Sequence, residues 1–383
     1  MPRVDIHQRE RKHKIDKRNL QASKLCKEDK DLILKYVRHK RLADDIGLAR
    51  QNKLLRYLRI IGEVLDKPFK EADKDDIEQL LEDLYDRDVK KGETIKKPSK
   101  WTKKDMAMIL KSFYRWLEKP ELVDWINPPK IELPRLGPED LLTWDDVEKL
   151  GAAAMNYRDE ALVKCLWESG CRIGELLTLE IRDVEQRGKG VILHLRESKT
   201  VKRKIMLVRS AGILMKYRNT HPKRGDDKSL LWINLQTHEP MSYSAANSTL
   251  KRLAERAEVD KPVNPHTFRK SSATYYGRYL SQSELKARYG WRQSSRMLDV
   301  YLHPDQEEVN NRILELEGVE KPENPREKFK ACWSCGTINS IDAESCVLCN
   351  EVLNEEKRYN REKLIKLMDD VLKDRGGMEA ISL

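Results

Sequence analysis

The chain has 383 residues, 36% of them charged and 39% hydrophobic, enough for two domains with real cores under a densely charged surface. A formal net charge of +11 and a pI of about 9.1 favour a polyanionic partner, nucleic acid first among them. No apolar run reaches membrane-span length, and "MPRVDIHQRERKHKIDKR" lacks the apolar core of a signal peptide, so a cytoplasmic protein is expected.

Residues 1–28 are rich in Lys and Arg with little apolar periodicity and read as a basic N-terminal arm. From 29 to 118 the pattern is helical. "LARQNKLLRYLRIIGEVL" sets Leu54, Leu55, Leu58 and Ile61 at helical spacing. In "DKDDIEQLLEDLYDRDV" Asp73 is a candidate N-cap, with Ile77, Leu80, Leu81 and Leu84 on one face. "WTKKDMAMILKSFYRWL" starts at a candidate Thr102 cap and carries Met106, Ile109, Leu110, Phe113 and Trp116 along one face. Four helices and no strand are expected, a small helical domain. Residues 119–141 hold Pro120, Pro128, Pro129, Pro134 and Pro138; proline at this density blocks regular structure and marks a linker.

The second domain, 142–320, opens on a Thr143 cap, and a buried-looking helix after Asn156 stops at Gly170, a natural C′ residue. "GVILHLRESKTVKRKIMLV" reads as strand, charged turn and strand: Val191, Leu193 and Leu195 alternate, then Ile205 and Leu207. "LLWIN" reads as a further short strand, and helical periods return from Ser242. The class is mainly α with a small β element. A helix after Pro304 and a C-terminal helix at 355–383, with Leu364, Leu367, Met368, Val371 and Leu372 on one stripe, complete the regular elements.

Between those helices lies the segment 328–354. Its "CWSCGTINSIDAESCVLC" sets Cys332, Cys335, Cys346 and Cys349 as two Cys-x2-Cys turns ten residues apart. Two such turns present four thiolates to one tetrahedral Zn²⁺, and so short a segment lacks the core to fold without it. A structural zinc is therefore expected.

Four segments of the second domain carry polar groups that burial does not require. "GCRIGELLTL" puts Arg172 just after a helix break, with Glu175 three positions on. "RESKTVKRK" puts Lys199 at a hairpin turn, with Lys202 and Lys204 close by. "NPHTFRK" sets His266 and Arg269 three apart, on one helical face. "GWRQSSRMLDVYLH" supplies Trp291 and Tyr301. Singly, each has an ordinary structural explanation.

Taken in order, Arg, Lys, His-x-x-Arg, Trp and Tyr resemble the tyrosine recombinases, the phage-type integrases and Xer-type resolvases, over roughly Asp29 to Leu316. The resemblance implies a helical (SAM-like) core-binding domain and a mixed α/β catalytic domain clamped on duplex DNA. It implies strand cleavage through a 3′-phosphotyrosine with Tyr301 as nucleophile, without metal or ATP, by a homotetramer, in a prokaryote, virus or mobile element. Arg172 and Arg269 would grip the phosphate, His266 would bond it and manage the tyrosine proton, and Lys199 would protonate the leaving oxygen. Glu175 would orient His266 or Arg172, and Trp291 would donate from its indole. Two positions depart from the family. Lys270 stands where a second His is frequent, and Trp291 where His is commonest; Trp291 to Tyr301 is also one residue longer than usual. Tyr275, Tyr276, Tyr279 and Tyr289 are rival nucleophiles, explained by packing. A topoisomerase-IB-like activity and a non-catalytic zinc-containing DNA-binding regulator are the alternatives.

Overall fold

The computed structural model describes residues 4–91, 94–131, 137–196, 202–295, 329–340 and 343–354, with scattered positions between 310 and 319 and between 363 and 368. Tyr301 and Lys199 lie outside the described residues, as do most of the helix expected after Pro304 and most of the C-terminal helix. Two compact units divide at Pro134 and Arg135, a point within the proline-rich connector.

The first unit holds α1 (Arg9–Gln21), α2 (Lys27–Asp44), α3 (Leu48–Leu65), α4 (Lys74–Asp86) and α5 (Lys100–Trp116). Leu54, Leu55, Leu58 and Ile61 of α3 are buried, as their spacing requires. Asp73 caps α4 in a reciprocal box with Asp76. Ser99, not Thr102, caps α5: its hydroxyl accepts the Thr102 amide at 3.2 Å, so the helix begins one turn earlier than expected. Two further expectations are corrected among the described residues. The basic arm contains α1, which packs on α3 through the fully buried Leu20 and a bond of 2.7 Å between His13 and Asn52. One buried leucine in thirteen residues is too weak a period to see in sequence. A short antiparallel hairpin, β1 (Val89–Lys91) with β2 (Thr94–Lys96), also joins the helices where no strand was expected.

In the second unit Thr143 caps α6 (Trp144–Ala152), and α7 (Tyr157–Ser169) packs against α6 and two later helices, which is why it is buried nearly all round. After α8 (Ile173–Leu177) come β3 (Val184–Arg187), β4 (Gly190–Leu195) and β5 (Arg203–Leu207), an antiparallel sheet in that order. Val191 pairs with Leu207 and Leu195 with Arg203. The first strand was not anticipated. The stretch around Trp232 is buried, but it makes only isolated bridges, Leu230 with Glu180 and Ile233 with Pro240, rather than a strand. Then follow α9 (Ala211–Asn219), α10 (Tyr243–Arg256), α11 (Pro265–Gly277) and α12 (Gln282–Tyr289). A last hairpin, β6 (Phe329–Ala331) with β7 (Ile338–Ser340), carries Cys332 and Cys335 in its turn, and Cys346 and Cys349 follow it. No described helix is long and apolar enough to cross a membrane.

Candidate active site

A cavity of about 560 Å³ in the second unit is lined by Arg172, Ile173, Tyr243, Pro265, His266, Arg269, Gly290, Trp291, Arg292, Ser294 and Ser295. Three arginines and a histidine face it, and no carboxylate does among the described residues. Such a site suits an anion with several oxygens.

Arg172 is delivered by a helix stop. Gly170 ends α7 at φ 53°, and a Cβ there would run into the Tyr289 ring and the Ser272 side chain. The chain turns and Arg172 becomes the N-cap of α8. Its amide donates to Glu175 Oε2 at 2.9 Å, and its Nη1 donates to Glu175 Oε1 at 3.0 Å. Glu175 is buried and also accepts both prongs of Arg203, at 3.2 and 2.7 Å. Burial opposes its ionisation, but the bonds and charge of Arg203, with those of Arg172, outweigh it and take the carboxyl down to about 2. Glu175 thus holds both the amide and the side chain of Arg172.

Asn264 caps α11 by accepting the amides of His266 and Thr267, each at 3.1 Å, with Pro265 preset at the first helical position. This puts His266 at the cavity mouth. Partial burial, then the charges of Lys270 and Arg269, lower its pKa, so the imidazole is neutral at pH 7. One turn on, Arg269 is buried and donates to the carbonyls of Gly170 at 2.9 Å and Tyr289 at 2.7 Å. Those carbonyls lie at the C-termini of α7 and α12, where helices leave acceptors unpaired. Burial first, then the charge of Arg172, pulls the Arg269 pKa down to about 10, still cationic at neutral pH. Trp291 stacks on Tyr289 at 4.9 Å, and Arg269 lies over its ring at 5.6 Å.

Arg172, Glu175, His266, Arg269 and Trp291 thus come together from three segments spread over 119 residues of the chain. Lys199 and Tyr301 fall outside the described residues. Of the rival tyrosines, Tyr289 is fully buried against Ser272 at 2.8 Å and Tyr276 is raised in pKa by burial. Tyr275 accepts a bond from Arg209 at 2.8 Å, and Tyr279 is exposed away from the cavity lining. Tyr243, at the first turn of α10, is the described tyrosine that lines the cavity, and sequence reasoning passed over it. Arg203 was missed as well. It stood in a run of cations, Lys199 to Lys204, but it shares strand phase with the buried Ile205 and Leu207, and that alternation could have singled it out.

Apart from the cavity, the Sγ atoms of Cys332, Cys335, Cys346 and Cys349 all lie within 4.8 Å of one another, close enough to hold a metal ion. Two of the separations are 3.6 Å. A tetrahedron of thiolates about 2.3 Å from zinc has edges of about 3.8 Å, whereas a disulfide would need about 2.05 Å. The donor set therefore fits a metal.

Residues 140–308 match the model of the phage integrase family. Tyrosine recombinase XerD of Halalkalibacterium halodurans is 28% identical over 183 residues, 43% of this chain and 58% of that protein. The chain thus spans less than two thirds of that relative. The tyrosine recombinase of Thermosipho africanus is 27% identical over 255 residues, 63% of this chain and 82% of that protein. A lambda integrase dimer bound to a COC′ core site has a similar fold, with a TM-score of 0.54 at 15% identity over 71% of this chain and 76% of that one.

Proposed function

We propose that the protein is a site-specific DNA recombinase, an integrase-type enzyme, that cuts and rejoins duplex DNA through a 3′-phosphotyrosine on Tyr301. The observation that carries this is the convergence of Arg172, His266, Arg269 and Trp291 on one cavity lined by no described carboxylate. Tyr301 lies six residues beyond Ser295, itself part of the lining.

In this reading the Tyr301 phenol oxygen attacks the scissile phosphorus and its proton passes to neutral His266. The P–O5′ bond breaks, and its electron pair leaves on the 5′ oxygen, which Lys199 protonates. Arg172 and Arg269 hold the non-bridging oxygens as charge spreads over them, and Trp291 adds an indole N–H. The 5′-hydroxyl of a partner strand then attacks the ester and restores the tyrosine. The ester conserves the bond energy, so the exchange draws on no other energy source. Four protomers on two duplexes in the cytoplasm complete the reading. The cysteine knuckle holds one structural zinc, whose role is to fold that segment.

Incubation with nicked target duplex should yield a denaturant-resistant protein–DNA adduct in the wild type and in Tyr243→Phe, and none in Tyr301→Phe. An adduct that persists in Tyr301→Phe, or one lost only in Tyr243→Phe, would move the nucleophile. No adduct in the wild type on any cognate site would remove the reading.

A further inference from the structure

Arg203 has no place in the chemistry just described, yet it is the most heavily committed cation beside the cavity. It opens β5 with its side chain only 6% exposed, facing a Glu175 side chain that is 4% exposed. Nη2 meets Glu175 Oε2 at 2.7 Å and Nη1 meets Oε1 at 3.2 Å, a forked grip. Its Nε donates to the carbonyl of Arg288 at 2.8 Å. The next carbonyl along, that of Tyr289, is the one Arg269 takes at 2.7 Å. Two arginines from different elements therefore hold adjacent carbonyls at the end of α12, and Trp291 follows two residues later. The groups that face Glu175 are Arg172 and Cys171 from the turn before α8, Arg269 from α11 and Arg203 from β5.

We propose that Arg203 is a positioning residue for the reaction at this cavity: it holds Glu175 in the orientation that fixes Arg172, and ties that pair to the turn bearing Trp291. It also joins β5 to the Arg172 turn through Glu175. Glu175 presents the same carboxylate to both arginines, so without Arg203 it loses its forked anchor to β5, and its hold on the Arg172 side chain loosens. Arg172 is the more exposed of the two, with 36% of its side chain accessible against 6% for Arg203. This inference rests on the recombinase reading above.

The test measures single-turnover adduct formation on nicked duplex across pH. Arg203→Gln should slow cleavage by about 10²-fold, the scale of a misplaced catalytic group. It should also add a loss of rate on the acid side, because buried Glu175 without its main cation takes up a proton at higher pH than in the wild type. The double variant Glu175→Gln/Arg203→Gln should lack that acid limb and be little slower than either single variant. Arg203→Lys keeps the charge but not the fork, and should recover part of the rate with a wild-type acid side. A wild-type rate and profile in Arg203→Gln, full wild-type rate in Arg203→Lys, or strictly additive losses in the double variant would each overturn the proposal. Failure of the wild type itself to form an adduct would instead sink the parent reading.

Discussion

Gly170 shows how much one residue can decide. It ends α7 in the left-handed region, leaves room for the Tyr289 ring and Ser272, and lends its carbonyl to Arg269. Alanine there would meet an unfavourable backbone conformation and a collision with buried groups together. Gly170→Ala should lower stability by roughly 2–4 kcal/mol, read from the denaturant midpoint, and should slow cleavage by displacing Arg269. The same stop was readable as a glycine after an apolar helix. The collision was not, because Tyr289 arrives from 119 residues further along. Arg172, His266, Arg269 and Trp291 were likewise legible by order and spacing. What anchors Arg269 was not: its partners are the carbonyls of Gly170 and Tyr289, groups that every residue carries and no sequence distinguishes.

Among the elements, the cysteine knuckle packs against α9 of the same unit rather than standing apart from it. A Cβ at Gly212, in the first turn of α9, would run into Val347 and lie 2.9 Å from Thr337. Lys216 of the same helix reaches Asn350 at 3.4 Å. Arg209, just before α9, lies over Trp144, Tyr275 and Phe329 at 4.8, 5.3 and 5.6 Å, so a ring from the knuckle hairpin closes one side of an aromatic cage. Gly212→Leu should therefore lift the knuckle off α9. Amide exchange at Thr337 to Val347 should quicken while elemental analysis still finds about one zinc per chain. Stripping the metal with a chelator should quicken the same amides by unfolding the segment itself. Protection unchanged in both cases would show that the knuckle neither docks there nor needs its ion. The docking had no sequence signal, since it depends on the missing side chain of one helical glycine.

Over the whole molecule, each unit carries its own core; that of the first runs from Leu20 to Ile126 through twenty-three buried residues, enough to hold α1 against α3. The surface carries the excess charge of +11. DNA affinity should accordingly fall steeply with salt, log K against log salt sloping by about −0.9 per phosphate contact, and a slope near zero would deny the electrostatic footprint. Composition, the helical periods, the proline-rich linker, the paired Cys-x2-Cys turns and the ordered polar residues were determined by the sequence alone. They are local properties, repeating at short range or consisting of residue types that carry chemistry anywhere. The tertiary structure alone decided that Arg203, between the exposed Lys202 and Lys204, turns inward, that Tyr243 reaches the cavity, and that the basic N-terminal segment folds as α1. Each of these depends on a partner distant in the chain: Glu175 for Arg203, the ends of α7 and α12 for the cavity wall, α3 for α1. A buried polar or amphipathic group is stable only where such a partner meets it, and only the folded chain supplies the meeting.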